Sequence, residues 1–474
     1  MEPTSTNPCP NCERLQAQVD ALRGQLEALQ AVVAQLQEQL AAARKDSSTS
    51  SKPPSSDLVK PPRPSSATGS KRRQGGQPGH PKHERAAFAA EQVTRFVEHP
   101  LHACPDCGGP LRRSQHFARV VQQVDFLQPP LTVEQHTCPE YFCGQCANSY
   151  KASLPEAIET GGLVGPRLTV LVAYLKGVCH ASYSTVRKFL RDVAGVRISR
   201  GQLAKVIAKV SDALAEPYDE LLGRLPDEAV LNVDETGHKD RGDLHWTWCF
   251  RAELYTLFKI EPSRSADVLI EVLGEEFDGV MGCDCFSAYR RYMRECDVRV
   301  QFCLAHFIRE VKFLCTLPDT ATRRYGEQLR ESLRRLFGLI HRRDEFSAGE
   351  FPRRLDDARQ DVLFWADYRV PQSQAAQRLA ARMRKYGASY FTFVTEPGIE
   401  PTNNTAEQAI RFVVIDRHIT QGTRGATGQR FCERMWTVLA TCGQQERSVW
   451  EYLSEAVTAL FQKQEAPSLL PEAR

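Results

Sequence analysis

Long apolar runs are absent from this chain of 474 residues. No stretch approaches the roughly 18 consecutive apolar residues that a membrane-spanning helix needs. The N-terminal text MEPTSTNPCPNCERL also lacks the basic segment followed by an apolar one that a secretory signal requires. The sequence therefore predicts a protein with neither a membrane span nor a secretory signal, and we expect it in the cytoplasm.

A large net charge is missing as well. Although 25% of the residues are charged, the formal net charge is only +3, so any affinity for nucleic acid must come from local basic clusters. A hydrophobic content of 42% is sufficient for several globular domains, at least one with a sizeable core. Because no secretory signal is present, the sixteen cysteines are expected to be reduced thiols or metal ligands, and not disulfides.

The N-terminal segment has a heptad repeat. Leu residues recur every seven positions, and a second row of Val and Leu is offset by four; the rows are Leu15, Leu22, Leu29, Leu36 and Val19, Leu26, Val33, Leu40. This pattern predicts a coiled coil over residues 13–45 and is compatible with a parallel homodimer. The alternative is an amphipathic helix docked on its own chain, which the unbroken double row disfavours.

Residues 46–88 are dominated by Ser, Pro, Gly and basic residues, which predicts a disordered basic linker. Within residues 60–85, seven Lys or Arg residues stand against the single acid Glu84. A mobile basic arm of this kind suits contacts with DNA phosphates, and a merely solvated tail is the alternative. The candidates for DNA contact in this arm are Lys71, Arg72 and Arg73.

Two C-x2-C pairs follow the linker. Their residues are Cys104, Cys107, Cys143 and Cys146. Such pairs provide the four thiolates of a tetrahedral Zn²⁺ site, so we predict a zinc-finger-like domain over residues 89–155 with structural Zn²⁺. The text between the pairs would have to form a hairpin, and coincidence or a transient redox pair is the alternative. Cys9 and Cys12 could form a shared site across a dimer or remain unligated.

Residues 163–224 have helical periodicity. Ser182 and Ser199 are natural N-caps and Gly195 is a natural C-cap, so two helices are joined by a short turn that resembles a helix-turn-helix. Basic residues available for DNA are Arg187, Lys188, Arg191, Arg197, Arg200, Lys205 and Lys209. An ordinary packed helical domain is the alternative.

Two adjacent acids, Asp234 and Glu235, stand in the stretch VLNVDETGHKD. The preceding residues are apolar apart from Asn232 and rich in β-branched side chains, which predicts a strand with the acids at its end. A carboxylate there either meets a cation or is solvated. Because side chains alternate along a strand, only one of the two acids can face a shared site.

The segments after these acids predict an α/β core. We expect strands over 244–252 and 254–262, a helix over 263–276 and a further strand over 279–289. The last strand carries Asp284 near its end, with Asp278 as the competing candidate. Much later, a helix begins after Pro401, and on it Glu407 and Arg411 share a face. Asp, Asp and Glu are the hard oxygen ligands that a two-Mg²⁺ site requires.

Five motifs in this order resemble the DDE transposase of IS66-family bacterial insertion sequences. They are VDETG, SRSADVL, CDCFSAY, CLAHFIRE and NNTAEQAIR. The resemblance covers nearly the whole chain and implies a multidomain α/β protein with an RNase H-like DDE catalytic core over 225–430. It also implies a helical insertion over about 307–400 and a C-terminal helical region over 431–474. The family usually has Gly-Tyr after the second Asp, whereas Cys285 and Phe286 stand here.

The resemblance implies DNA cleavage and strand transfer by two metal ions, Mg²⁺ or Mn²⁺, held by Asp234, Asp284 and Glu407. The motif CLAHFIRE contains a C-x2-H pair, but no second pair is evident nearby, so we expect His306 and Arg309 to touch DNA or to buttress the acids. Residues 323–343 hold seven Arg against two Glu, which favours contact with the DNA backbone.

The implied partners are double-stranded DNA, both at the terminal repeats of the element and at the target, a second copy of the chain, and accessory proteins of the same element. Association with the nucleoid is expected when DNA is bound. The full set of DNA-contact candidates is Lys71, Arg72, Arg73, Arg187, Lys188, Arg191, Arg200, His306, Arg309 and Arg411. The alternatives are a non-catalytic DNA-binding regulator with a decayed nuclease core, and an RNase H-like nuclease without strand transfer.

Overall fold

The computed structural model describes residues 10–43 and 163–471, with short segments between them at 45, 49, 89–93, 131, 133–134, 140–143 and 148–151. Several predicted residues lie outside the described part, namely Lys71, Arg72, Arg73, Cys9, Cys104, Cys107 and Cys146. For Cys12 and Cys143 only the backbone is described. Within the described residues, no helix combines the length and apolar character that crossing a membrane requires.

The heptad segment forms one continuous helix, α1 (Pro10–Ala43). Its two apolar rows are exposed along their length, with Leu22 63% and Leu29 62% exposed. Near the C-terminal end, the Glu38 carboxylate accepts a hydrogen bond from the backbone N–H of Ala375 (2.6 Å). The expected helix is confirmed, its apolar seam is not buried by its own chain, and the coiled-coil partner stays a prediction.

Two short paired strands lie within the predicted zinc-finger-like region. Strand β1 (Glu140–Cys143) pairs antiparallel with β2 (Asn148–Lys151), and Cys143 lies opposite Asn148. The longer text that was expected to form a hairpin between the two cysteine pairs lies mostly outside the described residues.

Four helices follow: α2 (Pro166–Gly177), α3 (Tyr183–Asp192), α4 (Arg200–Ala213) and α5 (Ala215–Arg224). The Ser199 hydroxyl accepts the N–H of Gln202 at 3.1 Å, so the predicted N-cap of α4 is confirmed. Gly195 has a φ of +71°, the left-handed conformation expected after a helix end. Helix α4 packs against α2. The chain divides into two compact units, and residues 190–196 belong to the smaller one, with 62–135.

A five-stranded mixed sheet lies in the larger unit. Its strands are β3 (Val230–Asp240), β4 (Asp243–Arg251), β5 (Thr256–Glu261), β6 (Val280–Cys283) and β7 (Arg299–Phe302). The spatial order is β5-β4-β3-β6-β7, where β3, β4 and β5 are antiparallel and β3, β6 and β7 are parallel. This mixed α/β arrangement fits the expected RNase H-like core.

Two strand boundaries differ from the sequence expectation. Asp234 lies in the middle of β3 and not at its end, because β3 continues to Asp240 in a hairpin with β4. Arg241 and Gly242 both have positive φ at the two-residue turn, as a tight hairpin requires. The strand expected over 279–289 ends early, because the Asp284 carboxylate accepts the N–H of Phe286 (2.8 Å) and turns the chain into a helix.

Helices cover both faces of the sheet. On one face lie α6 (Ala266–Leu273) and α7 (Ser287–Glu295); on the other lie α13 (Asn404–Thr420) and α14 (Ala426–Gln444). Between β7 and α13 the regular elements are all helical: α8 (Leu304–Leu314), α9 (Thr320–His341), α10 (Glu350–Asp367), α11 (Gln374–Tyr386) and α12 (Thr392–Thr395). The last helix is α15 (Val449–Gln462), which packs against α2 and α4.

A hydrophobic cluster joins α13 and α14 to the sheet. Its buried members are Cys249, Phe258, Ile260, Ala406, Ile410, Val413 and Trp436. Strand residues and helix residues contribute about equally, so the position of α13 on the sheet is fixed by apolar packing. This packing determines where the side chains at the start of α13 lie.

Candidate active site

Strand register places Asp234 on the face that α13 covers. Asp234 lies directly opposite Cys249 on β4, and Cys249 lies opposite Phe258 on β5. Residues directly opposite in antiparallel strands project to the same face, and both Cys249 and Phe258 pack against α13. Asp234 therefore faces the helix that carries Glu407, which agrees with the prediction that only one acid of the pair points to the site.

Glu235 projects to the opposite face, where its side chain is buried and hydrogen-bonded. Its side chain is 2% exposed, and its carboxylate accepts hydrogen bonds from Nε of Arg264 (2.7 Å) and from the hydroxyl of Tyr289. Burial raises the pKa of Glu235 to about 7, the charge of Asp284 adds to the rise, and the two hydrogen-bond donors oppose it. Glu235 is thus a structural residue that ties β3 to α7.

The three predicted carboxylates interact electrostatically. Asp284 follows the end of β6, and Glu407 lies in the first turn of α13 with its side chain 22% exposed. Burial raises the pKa of Asp234 well above its ordinary value, and the negative charges of Glu235, Asp284 and Glu407 raise it further. Since like charges at these positions disfavour ionisation, a bound cation would stabilise the ionised acids.

The residues present fit a hard divalent cation. Asp234, Asp284 and Glu407 offer carboxylate oxygens, which are the ligands that Mg²⁺ prefers. The Oε1 atom of Glu407 is buried and has no hydrogen-bond partner within the described part of the chain. A buried acceptor without a partner is costly, so this oxygen is suited to meet a ligand that the protein itself does not supply.

Hydrogen bonds fix the start of α13 against two strands. The side-chain amide of Asn403 donates to the carbonyl of Val233 (2.8 Å), and the Asn403 N–H donates to Sγ of Cys303 (3.2 Å). The N–H of Leu304 donates to the carbonyl of Pro401 (3.0 Å). The chain just before Glu407 is therefore tied both to the residue before Asp234 and to the end of β7.

Arg309 holds Glu407 from α8, and His306 lies beside it. The Nε2 atom of His306 lies 3.6 Å from Oε1 of Glu407, and a guanidinium nitrogen of Arg309 lies 3.4 Å from Oε2. Burial lowers the pKa of His306, while the carboxylate of Glu407 opposes that change. Of the two roles expected from the sequence, buttressing the acids agrees with these contacts.

The C-x2-H pair has a third potential metal ligand. One ligand atom each of Cys303, His306 and Glu407 lies within 4.8 Å of the other two. The sequence near Cys303 and His306 contains no second pair of ligands, so it did not predict a metal site there. The third potential ligand, Glu407, lies about 100 residues further along the chain. The tertiary structure brings that acid to the pair.

The other DNA-contact candidates are on the surface. Arg187, Lys188, Arg191 and Arg200 are exposed on α3 and α4, and Arg411 is exposed one turn after Glu407. Nε of Arg187 donates to the carbonyl of Ile198 (3.1 Å), and Arg200 donates to the hydroxyl of Ser184 (2.7 Å). These positions are accessible to a ligand, and their role in DNA contact stays a prediction.

Sequence reasoning missed Asn403, Arg264 and Tyr289. Arg264 and Tyr289 stand within the motifs SRSADVL and CDCFSAY, and Asn403 opens NNTAEQAIR. Each of the three is a polar residue within one of the five family motifs, and this position could have identified it as a candidate site residue. Their roles became evident only with their partners, because all three act on residues distant in the chain.

Comparison with known protein families gives two matches. The model described as Transposase IS66 family matches residues 161–430, and a model described as a family of unknown function (DUF6444) matches residues 1–86. No curated protein matches the chain. The first match covers more than half of the sequence and contains the whole sheet, the three carboxylates and α13.

Proposed function

Because this chain belongs to the IS66 transposase family, we propose that it is a DNA transposase of a bacterial insertion sequence, with DNA cleavage and strand transfer at Asp234, Asp284 and Glu407. The observation that carries the mechanism is the convergence of three acidic groups. Asp234 faces the helix of Glu407, and its pKa is raised by the charges of both Asp284 and Glu407. Three mutually repelling carboxylates of this kind are a typical ligand set for two divalent cations.

The proposed chemistry is an in-line displacement at phosphorus. When Mg²⁺ or Mn²⁺ is bound, it would activate a water and later a DNA 3′-OH, and it would stabilise the leaving oxygen. The contribution of the chain is to position the ligands. Asp234 is held in mid-strand, Asp284 by its bond to the N–H of Phe286, and Glu407 by Arg309. Rigid placement of this kind reduces the cost of ordering the reacting groups.

Binding to DNA is proposed to involve the exposed basic residues of α3 and α4, together with the basic linker. Arg187, Lys188 and Arg200 are accessible on these helices. The structure has two consecutive helices there, α3 and α4. Structural Zn²⁺ at the four cysteines of residues 89–155 stays part of the proposal, as do the accessory proteins and the association with the nucleoid.

Dimerisation through α1 is proposed on the exposure of its two apolar rows. Four heptads of exposed Leu and Val would be covered by the same face of a second copy. A two-fold symmetric protein suits an enzyme that holds two inverted element ends. Sedimentation of the full chain beside a variant with Leu22 and Leu29 both changed to Asp would test this, since the variant is expected to be monomeric.

The catalytic proposal is tested with a labelled duplex that carries one element end. The full-length protein with Mg²⁺ is compared with Asp284→Asn and with the control Asp278→Asn, whose side chain is fully exposed. We expect metal-dependent nicking by the wild type and the control, and none by Asp284→Asn, with similar DNA binding by all three. Tight binding without nicking under any divalent metal would instead favour the regulator. Nicking without joined products would favour the nuclease.

A further inference from the structure

Cys303, His306 and Glu407 form a compact set of ligand groups from two segments of the chain. Cys303 directly follows β7, His306 lies in the first turn of α8, and Glu407 lies in the first turn of α13. The segments are joined by backbone hydrogen bonds, because Leu304 donates to Pro401 and Cys303 donates to the carbonyl of Cys283 (2.8 Å). The set is thus formed by the fold itself.

Two polar atoms in this set have no hydrogen-bond partner within the described residues. They are Nδ1 of His306 and Oε1 of Glu407, and both are buried. Most buried polar atoms in proteins are paired, so the unpaired Oε1 of Glu407, which faces Nε2 of His306, indicates a missing ligand, whereas Nδ1 lies on the other side of the imidazole ring. The 3.6 Å between Nε2 of His306 and Oε1 of Glu407 is longer than a hydrogen bond. It is close to the separation of about 3.3 Å that two ligands of one tetrahedral zinc ion have.

The chemistry of the donors selects the type of ion. A thiolate sulfur, an imidazole nitrogen and a carboxylate oxygen together suit Zn²⁺, whereas Mg²⁺ prefers oxygen ligands alone. All three donor atoms lie within 4.8 Å of one another, which is compatible with coordination of a single ion. Three protein ligands leave a fourth tetrahedral position open to water, as in many zinc sites that are not purely structural.

We propose that Cys303, His306 and Glu407 bind a Zn²⁺ ion, and that Zn²⁺ at this site competes with the catalytic Mg²⁺ for Glu407. The binding site follows from the geometry of the three residues. The competition rests on the proposed transposase function, because it requires Glu407 to be a ligand of the catalytic metal. A low concentration of free Zn²⁺ would then inhibit cleavage, because Glu407 would bind Zn²⁺ and would no longer be available to the catalytic Mg²⁺.

Zinc binding is measured directly on the full-length protein. The wild type, Cys303→Ser, His306→Gln and the control Cys442→Ser are each dialysed against buffered free Zn²⁺, and bound zinc is quantified. Cys442 is a buried cysteine in α14, so its variant controls for the loss of any buried thiol. The four cysteines predicted to bind zinc near the N-terminus contribute equally to every sample and cancel in the comparison.

We expect Cys303→Ser and His306→Gln to bind about one zinc ion fewer per chain than the wild type and Cys442→Ser. Circular dichroism and thermal unfolding are used to check that each variant is folded. His306→Gln is the second test if Cys303→Ser does not fold, because the His306 side chain is partly exposed and its removal leaves the Cys303 contacts in place. Equal zinc content in all four folded proteins would overturn the proposal.

A competition assay then separates this proposal from the transposase function. At free Zn²⁺ about ten times the dissociation constant measured at the Mg²⁺ concentration of the assay, mass action predicts about tenfold inhibition of wild-type nicking, relieved by excess Mg²⁺. In Cys303→Ser the ratio of activities with and without Zn²⁺ should be near one. A zinc difference without any nicking would support the site and refute the proposed catalysis. Nicking by the wild type with equal zinc content in all variants would support the proposed catalysis and refute the zinc site.

Discussion

Asp234→Asn should stabilise the protein in the absence of metal. Asp234 is buried, its carboxylate accepts one hydrogen bond from the N–H of Glu235 (2.9 Å), and the neighbouring charges that affect it are all negative. An asparagine can accept the same bond through its side-chain oxygen while removing the charge. Leaving a buried polar group uncompensated costs about 1–3 kcal/mol, so we expect a gain of that order.

The stability gained by Asp234→Asn should depend on pH in a defined direction. The folded-state pKa of Asp234 is raised, so the wild type loses stability as the pH rises from the ordinary carboxyl pKa through the folded value. The asparagine variant has no such loss. The stability difference between the two proteins should therefore be largest above the folded pKa of Asp234 and should shrink as the pH is lowered through it.

Thermal unfolding in EDTA and in Mg²⁺ measures this effect. A gain of about 1–3 kcal/mol corresponds to an increase in Tm of about 2–10 °C for a domain of this size. At free Mg²⁺ of about ten times its dissociation constant, the wild type should gain about 1.4 kcal/mol by linkage, whereas the variant should gain little. Mg²⁺ should therefore reduce the difference in Tm between the wild type and Asp234→Asn, and it should support cleavage only by the wild type.

The exposed control Asp278→Asn should change stability by less than about 0.5 kcal/mol in either condition. A decrease in Tm for Asp234→Asn without metal would refute the electrostatic argument, since it would mean that the charge at Asp234 stabilises the fold. Equal stabilisation of both proteins by Mg²⁺ would refute the assignment of Asp234 as a metal ligand.

Three further predictions concern residues around the site. Glu235→Ala should lower stability by about 1–3 kcal/mol in chemical denaturation, because it leaves the buried hydroxyl of Tyr289 and the one-third-exposed guanidinium of Arg264 without their acceptor. Asn403→Ala should cost about 1–2 kcal/mol and reduce nicking at saturating DNA, because α13 loses its bond to β3. His238 lies buried in β3, with its Nε2 3.0 Å from the hydroxyl of Thr423. Burial lowers the pKa of His238 to about 4, so stability should fall by up to about 3 kcal/mol as the pH drops from 6.5 to 4, and less in His238→Gln.

Each of these predictions has an outcome that contradicts it. A wild-type unfolding midpoint for Glu235→Ala would mean that the acid is not structural. Unchanged nicking by Asn403→Ala, with normal DNA affinity, would remove its role in positioning Glu407. An identical pH dependence of stability in His238→Gln would mean that other groups cause the acid sensitivity.

The sequence by itself determined the local elements and the family. The heptad rows predicted α1, the Ser199 cap predicted the start of α4, and two alternating segments predicted β4 and β5. These features depend on residues that are close in the chain, so periodicity and capping preferences are sufficient to identify them. The resemblance to IS66 transposases, carried by five short motifs, is confirmed by the family match.

Tertiary structure decided which side chains meet. Sequence alternation established that Asp234 and Glu235 face opposite ways, but only the strand register and the packing of α13 determine which one faces Glu407. The proximity of Glu407 to the Cys303 and His306 pair was equally inaccessible, because Glu407 lies about 100 residues further along the chain. Contacts of this kind depend on the strand order and on which helix covers which face, and no local period in the sequence specifies either.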